Sequence, residues 1–293
     1  MPERIFALFS NVASERDRVR LMLRDAGLFE HVGRPLPADE ILHKIELPNE
    51  KVARRLTIAA KLHDLDPPTI QRYIDPTHKE LAAAPLLVLR AFGPGTDRGH
   101  PREGTSYDDS QACRECGAGL LQTSPLRMRK TDLPKAALAT GAADELLLHD
   151  SIAGVVTSLG FTGVSLRPVL DTASAPVAWQ QVVVDQTMPP MLLTARGMTR
   201  GRTSGERPCS RCGRDGWFNT QADPFMPAYA RSVLDTMPDF AWTYELFSTG
   251  AWANPIHGKR SLASRVLIVR PRVYAALKPL KLRNARWLPV RVD

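Results

Sequence analysis

The sequence predicts an α+β protein: a small N-terminal α+β unit, then a domain made from a duplicated strand–helix–strand passage with two inserted cysteine knuckles. Three observations lead there. Apolar residues switch between the two-residue period of strands and the 3.6-residue period of helices over the first ~95 residues. Glu145–Val169 aligns without gaps onto Val266–Val290, at an offset of 121. Two Cys-x-x-Cys-Gly motifs, Cys113–Gly117 and Cys209–Gly213, use all 4 cysteines of the 293-residue chain.

The N-terminal unit, residues 1–95, is read element by element. Ile5–Phe9 alternates as a strand. Ser14-x-x-Asp17 opens a helix that runs to about Ala26, with Val19, Met22, Leu23 and Ala26 on one face. A strand near Ile41–Leu47 follows. Asn49 then caps a helix carrying Val52, Leu56, Ala59 and Leu62, which Pro67 and Pro68 end. Ile70–Ile74 is a short strand. Thr77-His78-Lys79-Glu80 is a capping box for a brief helix closed by Pro85, and Leu86–Phe92 is a buried strand. This alternation predicts a sheet with helices on one face.

The stretch from Phe92 to Cys113 is rich in Gly and Pro and reads as a boundary or loop. Its glycines match neither the P-loop nor the dinucleotide fingerprint. The second domain, residues 96–293, then contains two related halves, about 108–171 and 205–293. Leu146 aligns with Leu267, Leu159 with Leu280, and Pro168-Val169 with Pro289-Val290. Ile152, Val156, Phe161 and Leu166 fall opposite Val273, Leu277, Leu282 and Trp287. Each passage reads strand, helix, strand, and each is preceded by one cysteine motif. The second half has extra sequence from Gln221 to Ser264, whose aromatic run Phe240 to Phe247 is expected to pack the core.

In a zinc-ribbon-like knuckle the two-residue spacer lets both thiolates face one ion, and the following glycine supplies the positive-φ turn. Gly117 and Gly213 also speak against a thioredoxin-type dithiol, whose second cysteine continues a helix. The expectation is one structural zinc per chain, held by Cys113, Cys116, Cys209 and Cys212. Four thiolates leave no coordination position for water, so such a zinc holds structure and does no chemistry. The 92 residues between Cys116 and Cys209 exceed the usual ribbon spacing of about 15–20, so a domain must lie between the knuckles.

Composition narrows the function classes. An apolar content of 43% supports real cores, and no run approaches the ~20 apolar residues of a membrane span. The N-terminus lacks a basic n-region and cleavage site, and reduced thiolates fit a cytoplasmic location. The formal charge is +8, and much of it is C-terminal: from Lys259 to Asp293 there are ten Lys or Arg and one acid. Those charges alternate with Leu, Val and Trp as on solvated strand faces, and nucleic-acid binding is the alternative they leave open. No HExxH and no GxSxG is present, so neither a hydrolytic zinc nor a nucleophile elbow is expected. The histidines, His31, His43, His63, His78, His100, His149 and His257, are scattered. His257, beside Lys259 and Arg260, is the most suggestive of an anion-binding turn. The chain is therefore expected to be a non-enzyme, with no catalytic and no cofactor-binding residues beyond the metal set, an enzyme being the least favoured alternative after nucleic-acid binding.

With Cys113-Arg-Glu-Cys116-Gly117, Cys209-Ser-Arg-Cys212-Gly213 and strand–helix–strand passages ending in Pro-Val, the chain resembles the double-CXXCG motif proteins over residues 85–293. These are paralogous families abundant in myxobacteria, and some members are immunity proteins that protect a cell from toxins exchanged with its kin. The resemblance implies a cytoplasmic protein with a structural metal site and a binding task. The partner it implies is a protein, a toxin encoded by a neighbouring gene. The residues it carries over are the four cysteines and their glycines.

Overall fold

In the computed structural model, the described residues are 3–10, 16–28, 42–91, 103–113, 119–141, 145–195, 198–199, 211–212, 217–218, 225–245, 265–282 and 284–293. Mixed helix and strand in several sheets make this an α+β protein. The chain divides into two compact units, Met1–Asp75 with Thr220–Phe225, and Pro76–Asn219 with Met226–Asp293. Among the described residues no helix is long and apolar enough to cross a membrane.

The first unit runs β1 (Glu3–Ser10), α1 (Arg16–Asp25), β2 (Leu42–Leu47), α2 (Glu50–Leu62) and β3 (Thr69–Ile74). Its sheet has the order β2-β1-β3, with both pairs antiparallel, so that Ala7 stands between Ile45 and Ile70. Ile5, Ala7 and Phe9 are buried while Phe6 and Leu8 between them are half-exposed, as alternation requires of a sheet covered on one face. The buried side chains meet Val19, Met22 and Leu23 of α1 and Val52, Leu56 and Ala59 of α2 in one cluster. Asn49 caps α2 as expected, its side chain accepting the Val52 N–H at 3.1 Å. Leu62 is 74% exposed, because it stands about 120° round the helix from the buried face of Val52, Ala53, Leu56, Ala59 and Ala60. The Ser14 cap lies outside the described residues.

The second unit contains α3 (His78–Ala83), β4 (Leu86–Ala91), β5 (Tyr107–Asp108), β6 (Leu121–Gln122), β7 (Leu138–Thr140), β8 (Leu146–His149), α4 (Asp150–Ser158), β9 (Ser165–Leu170) and β10 (Pro176–Val183). It continues with β11 (Met198–Thr199), β12 (Trp217–Phe218), β13 (Ala228–Tyr229), α5 (Val233–Thr236), β14 (Phe240–Trp242), β15 (Leu267–Val269), α6 (Pro271–Leu277) and β16 (Ala285–Val292). The Thr77 capping box is formed: Glu80 Oε2 accepts the Thr77 N–H at 2.8 Å and Thr77 Oγ1 accepts the Glu80 N–H at 3.2 Å. In the division into two compact units α3 and β4, read from sequence as the end of the N-terminal unit, fall in the second unit. Tyr107-Asp108, read as part of a loop, is a strand.

Two sheets form the body of this unit, ordered β7-β8-β10-β9 and β13-β16-β4-β15-β14. All neighbours are antiparallel except β13 and β16. Both aligned passages are strand–helix–strand, as β8-α4-β9 and β15-α6-β16. In neither do the two strands touch each other; they flank a third strand, β10 in one sheet and β4 in the other. The registers agree residue by residue. Leu148 pairs with Gln180, which pairs with Pro168; at the offset of 121, Val269 pairs with Leu87, which pairs with Pro289. Leu147 pairs with Ala139 and Ile268 with Ala241.

The central position of β4 explains its unbroken apolar run. Leu86, Leu87 and Val88 are 0% exposed, and Leu87 and Leu89 join the main core. That core collects Leu146, Leu148, Ile152 and Val156 from one passage and Leu267, Val269, Val273 and Leu277 from the other. Phe161 and Leu166 border it, as do Leu282 and Trp287 at the matching positions. Leu159 and Leu280 are matched too, both on the exposed side. Phe240 is buried with this core and Trp242 packs against it, as expected of the aromatic run; Phe247 lies outside the described residues.

Candidate metal centre

Each cysteine motif lies, in chain order, between the two strands of an antiparallel pair. β5 and β6 pair through Tyr107–Gln122 and Asp108–Leu121, with Cys113 and Cys116 in the chain between them. β11 and β12 pair through Met198–Phe218 and Thr199–Trp217, with Cys209 and Cys212 between them. In both, the second cysteine stands five positions before the return strand.

The first loop is built from local turn chemistry. Asp108 Oδ1 accepts the Ser110 N–H at 2.9 Å, and the Ala112 N–H donates to the Asp109 carbonyl at 2.9 Å. The Ser110 hydrogen bonds hold the Asp108 carboxyl below its ordinary value. Gly119 has φ 92°, and a Cβ there would lie 2.9 Å from the Gln111 carbonyl oxygen, so the chain returns tightly past the segment leading to Cys113. Cys113 is 8% exposed and Cys212 is exposed; Cys116, Cys209, Gly117 and Gly213 lie outside the described residues. Among the described residues no group of three or more His, Cys, Asp or Glu is placed to hold a metal.

Polar side chains fasten the β5–β6 hairpin along its sheet. Near its base the Arg127 N–H donates to Thr105 Oγ1 at 3.0 Å, and Arg127 forms a parallel bridge with Leu170 at the end of β9. Further along, Gln122 and buried Gln181 exchange amide hydrogen bonds at 3.0 and 2.6 Å. Beyond them Tyr107 Oη donates to Glu145 Oε1 at 3.3 Å, and burial, with the Glu145 carboxylate second, pushes the phenol's pKa far up. Glu145 directly precedes Leu146, which borders a narrow cleft of about 40 Å³ with Thr140, Leu89, Trp242, Val266 and Leu267. The hairpin therefore runs from the Leu170 level toward the end of the sheet where the two passages begin side by side. Sequence reasoning missed Gln122, Gln181 and Glu145, because polar pairs separated by 59 or 38 positions leave no local pattern.

Donor chemistry fits zinc. The four expected ligands are thiolates, and a tetrahedral S₄ set is the closed arrangement of structural zinc. Cys113, Cys116, Cys209 and Cys212 would hold it, and the ion would supply cross-linking only.

Other candidates serve the fold. His149 caps α4, accepting the Ser151 N–H at 3.3 Å, and its ring meets Trp179 edge-on at 5.5 Å. It lines an open cleft of about 710 Å³ with Lys130, Lys135 and Ser151. His63 bonds Asp25 at 2.7 Å and His78 bonds Tyr274 Oη at 2.7 Å. His43 lies on β2; His31, His100 and His257 lie outside the described residues. No protein-family model matches the chain, and no curated protein matches it.

Proposed function

We propose that this is a non-catalytic, partner-binding protein with one structural zinc on Cys113, Cys116, Cys209 and Cys212, and that it acts in the cytoplasm as an immunity protein neutralising a cognate toxin. The observation that carries the metal reading is the matched placement of the two cysteine motifs, each between the strands of an antiparallel pair with its second cysteine five positions before the return strand. In this reading the second domain is duplicated, and its halves, about 108–171 and 205–293, each bring one zinc-ribbon-like knuckle to the metal. The register agreement of the two strand–helix–strand passages supports that duplication. The immunity role rests on the resemblance carried by Cys113–Gly117 and Cys209–Gly213.

Two experiments test it. Metal analysis of the purified chain should give about one zinc per chain; metal-free protein of unchanged stability would refute the zinc. Expressing the neighbouring gene product alone should arrest growth, and co-expressing this protein should restore growth through a stable complex of the two. A harmless neighbour would sink the immunity role. A salt-sensitive shift with DNA or RNA, without a protein partner, would favour nucleic-acid binding instead.

A further inference from the structure

We infer that residues 86–170 and 179–292 are two tandem copies of one unit that have exchanged their first strands, so that each sheet of the second unit is completed by the other copy. The inference rests on the related-halves reading and extends the first half N-terminally by β4 and the second by β10 and β11. Matching elements then follow in the same chain order: β4 and β10, β5 and β11, β6 and β12, β7 and β14, β8 and β15, α4 and α6, β9 and β16.

A shared strand–helix–strand grammar would not repeat the registers of separate pairings. Here Tyr107–Gln122 matches Met198–Phe218, Leu138–Leu148 matches Phe240–Val269, Leu148–Gln180 matches Val269–Leu87, and Pro168–Gln180 matches Pro289–Leu87. The outer edges match as well. The Leu170 N–H donates to the Leu126 carbonyl at 2.9 Å, and the Arg291 N–H, 121 positions on, donates to the Pro227 carbonyl at 2.9 Å. A parallel bridge accompanies each, Arg127–Leu170 and Ala228–Arg291. The turn after each helix uses the left-handed region at the same place, Gly160 at φ 57° and Lys281 at φ 48°.

Exchange follows from where the first strands lie. β10 opens the second copy but pairs with β8 and β9 of the first; β4 opens the first copy but pairs with β15 and β16 of the second. The last strand of each copy thus lies antiparallel to the first strand of the other, joined by the tight turn Asp171–Ala175 in one case and without a covalent link in the other. Loops repeat the crossing: Thr162 of the first copy bonds Asp239 of the second, and Asn284 of the second donates to the Leu138 carbonyl of the first. Without the borrowed strand either sheet would have a gap at its centre, with a row of unpaired backbone groups on each side. The copies are interlocked by sheet hydrogen bonding, independently of any metal.

The test cuts the folded full chain. A protease site is inserted between Thr172 and Ala173 in the exposed turn joining the copies, and the protein is cleaved and run on size exclusion in chelator. The two pieces should elute together at the size of the uncut chain and part only in denaturant. A second variant carries the site between Leu193 and Thr194, so that of the two exchanged strands only β4 crosses the cut; it should behave the same way and serves if the first insertion prevents folding. Separation of the pieces in native buffer would overturn the interlock. Because chelator is present throughout, that failure is distinct from failure of the zinc reading, which metal content decides.

Discussion

Gly163 is held at φ 74°, and a Cβ there would stand 2.5 Å from the Phe240 carbonyl oxygen and 2.7 Å from the Pro238 ring. The left-handed backbone and the close approach both demand glycine. Gly163→Ala should therefore destabilise the fold by about 2–4 kcal/mol in urea denaturation, the sum of strain and displaced backbone. Lys281 presents the opposite case. It occupies the left-handed region, at φ 48°, where its counterpart is Gly160. Lys281→Gly should raise stability by about 1 kcal/mol, since only the backbone penalty of the side chain is removed. Such positions are invisible in a sequence until a turn is placed on them. By contrast the Thr77–Glu80 box and the Asn49 cap were legible, because cap and recipient lie three residues apart.

At the scale of elements, the loop from α4 to β9 is clipped to the start of β14. Burial of Asp239 would push its carboxyl up, but hydrogen bonds from the Arg272 guanidinium and from the Thr162 N–H and hydroxyl outweigh this and hold it at about 2, against an ordinary 3.8. The folded pKa is the lower one, so this contribution is complete above pH 3.8 and is lost as pH falls through about 2. Asp239→Ala should cost about 2–3 kcal/mol at neutral pH by stranding the Thr162 N–H. In paired acid titrations of unfolding, the gap between wild type and variant should close toward pH 2; a gap independent of pH would show that the carboxylate's charge is irrelevant. Elements themselves were legible where a period could run, as in β1 and α2. Two-residue strands such as β5 have no period to read, and Leu62, read onto the apolar face, stands to one side of the face that Ala53 and Ala60 help to bury.

For the whole molecule, the proposed zinc is a tertiary bond between hairpins far apart in the chain. Its ligands have no fixed relation in the unfolded state, so binding energy is folding energy. Cys113→Ser should remove the metal and lower stability by at least ~3 kcal/mol, and chelator should lower the wild-type melting temperature but not that of the variant. Equal chelator sensitivity in both would place any metal elsewhere.

The sequence by itself determined the α+β class, the order of elements in the first unit and the strand–helix–strand form of both passages. All of these are written in spacings of a few residues or in apolar positions that align at a constant offset. Only the tertiary structure decided that β4 pairs with strands about 180 and 200 positions later, that Gln181 is buried against Gln122, and that Asp239 bonds Thr162 across 77 positions. Period and propensity report which face of an element is buried. They carry no information about which distant strand will cover it, because that choice is made by the sum of contacts over the whole core.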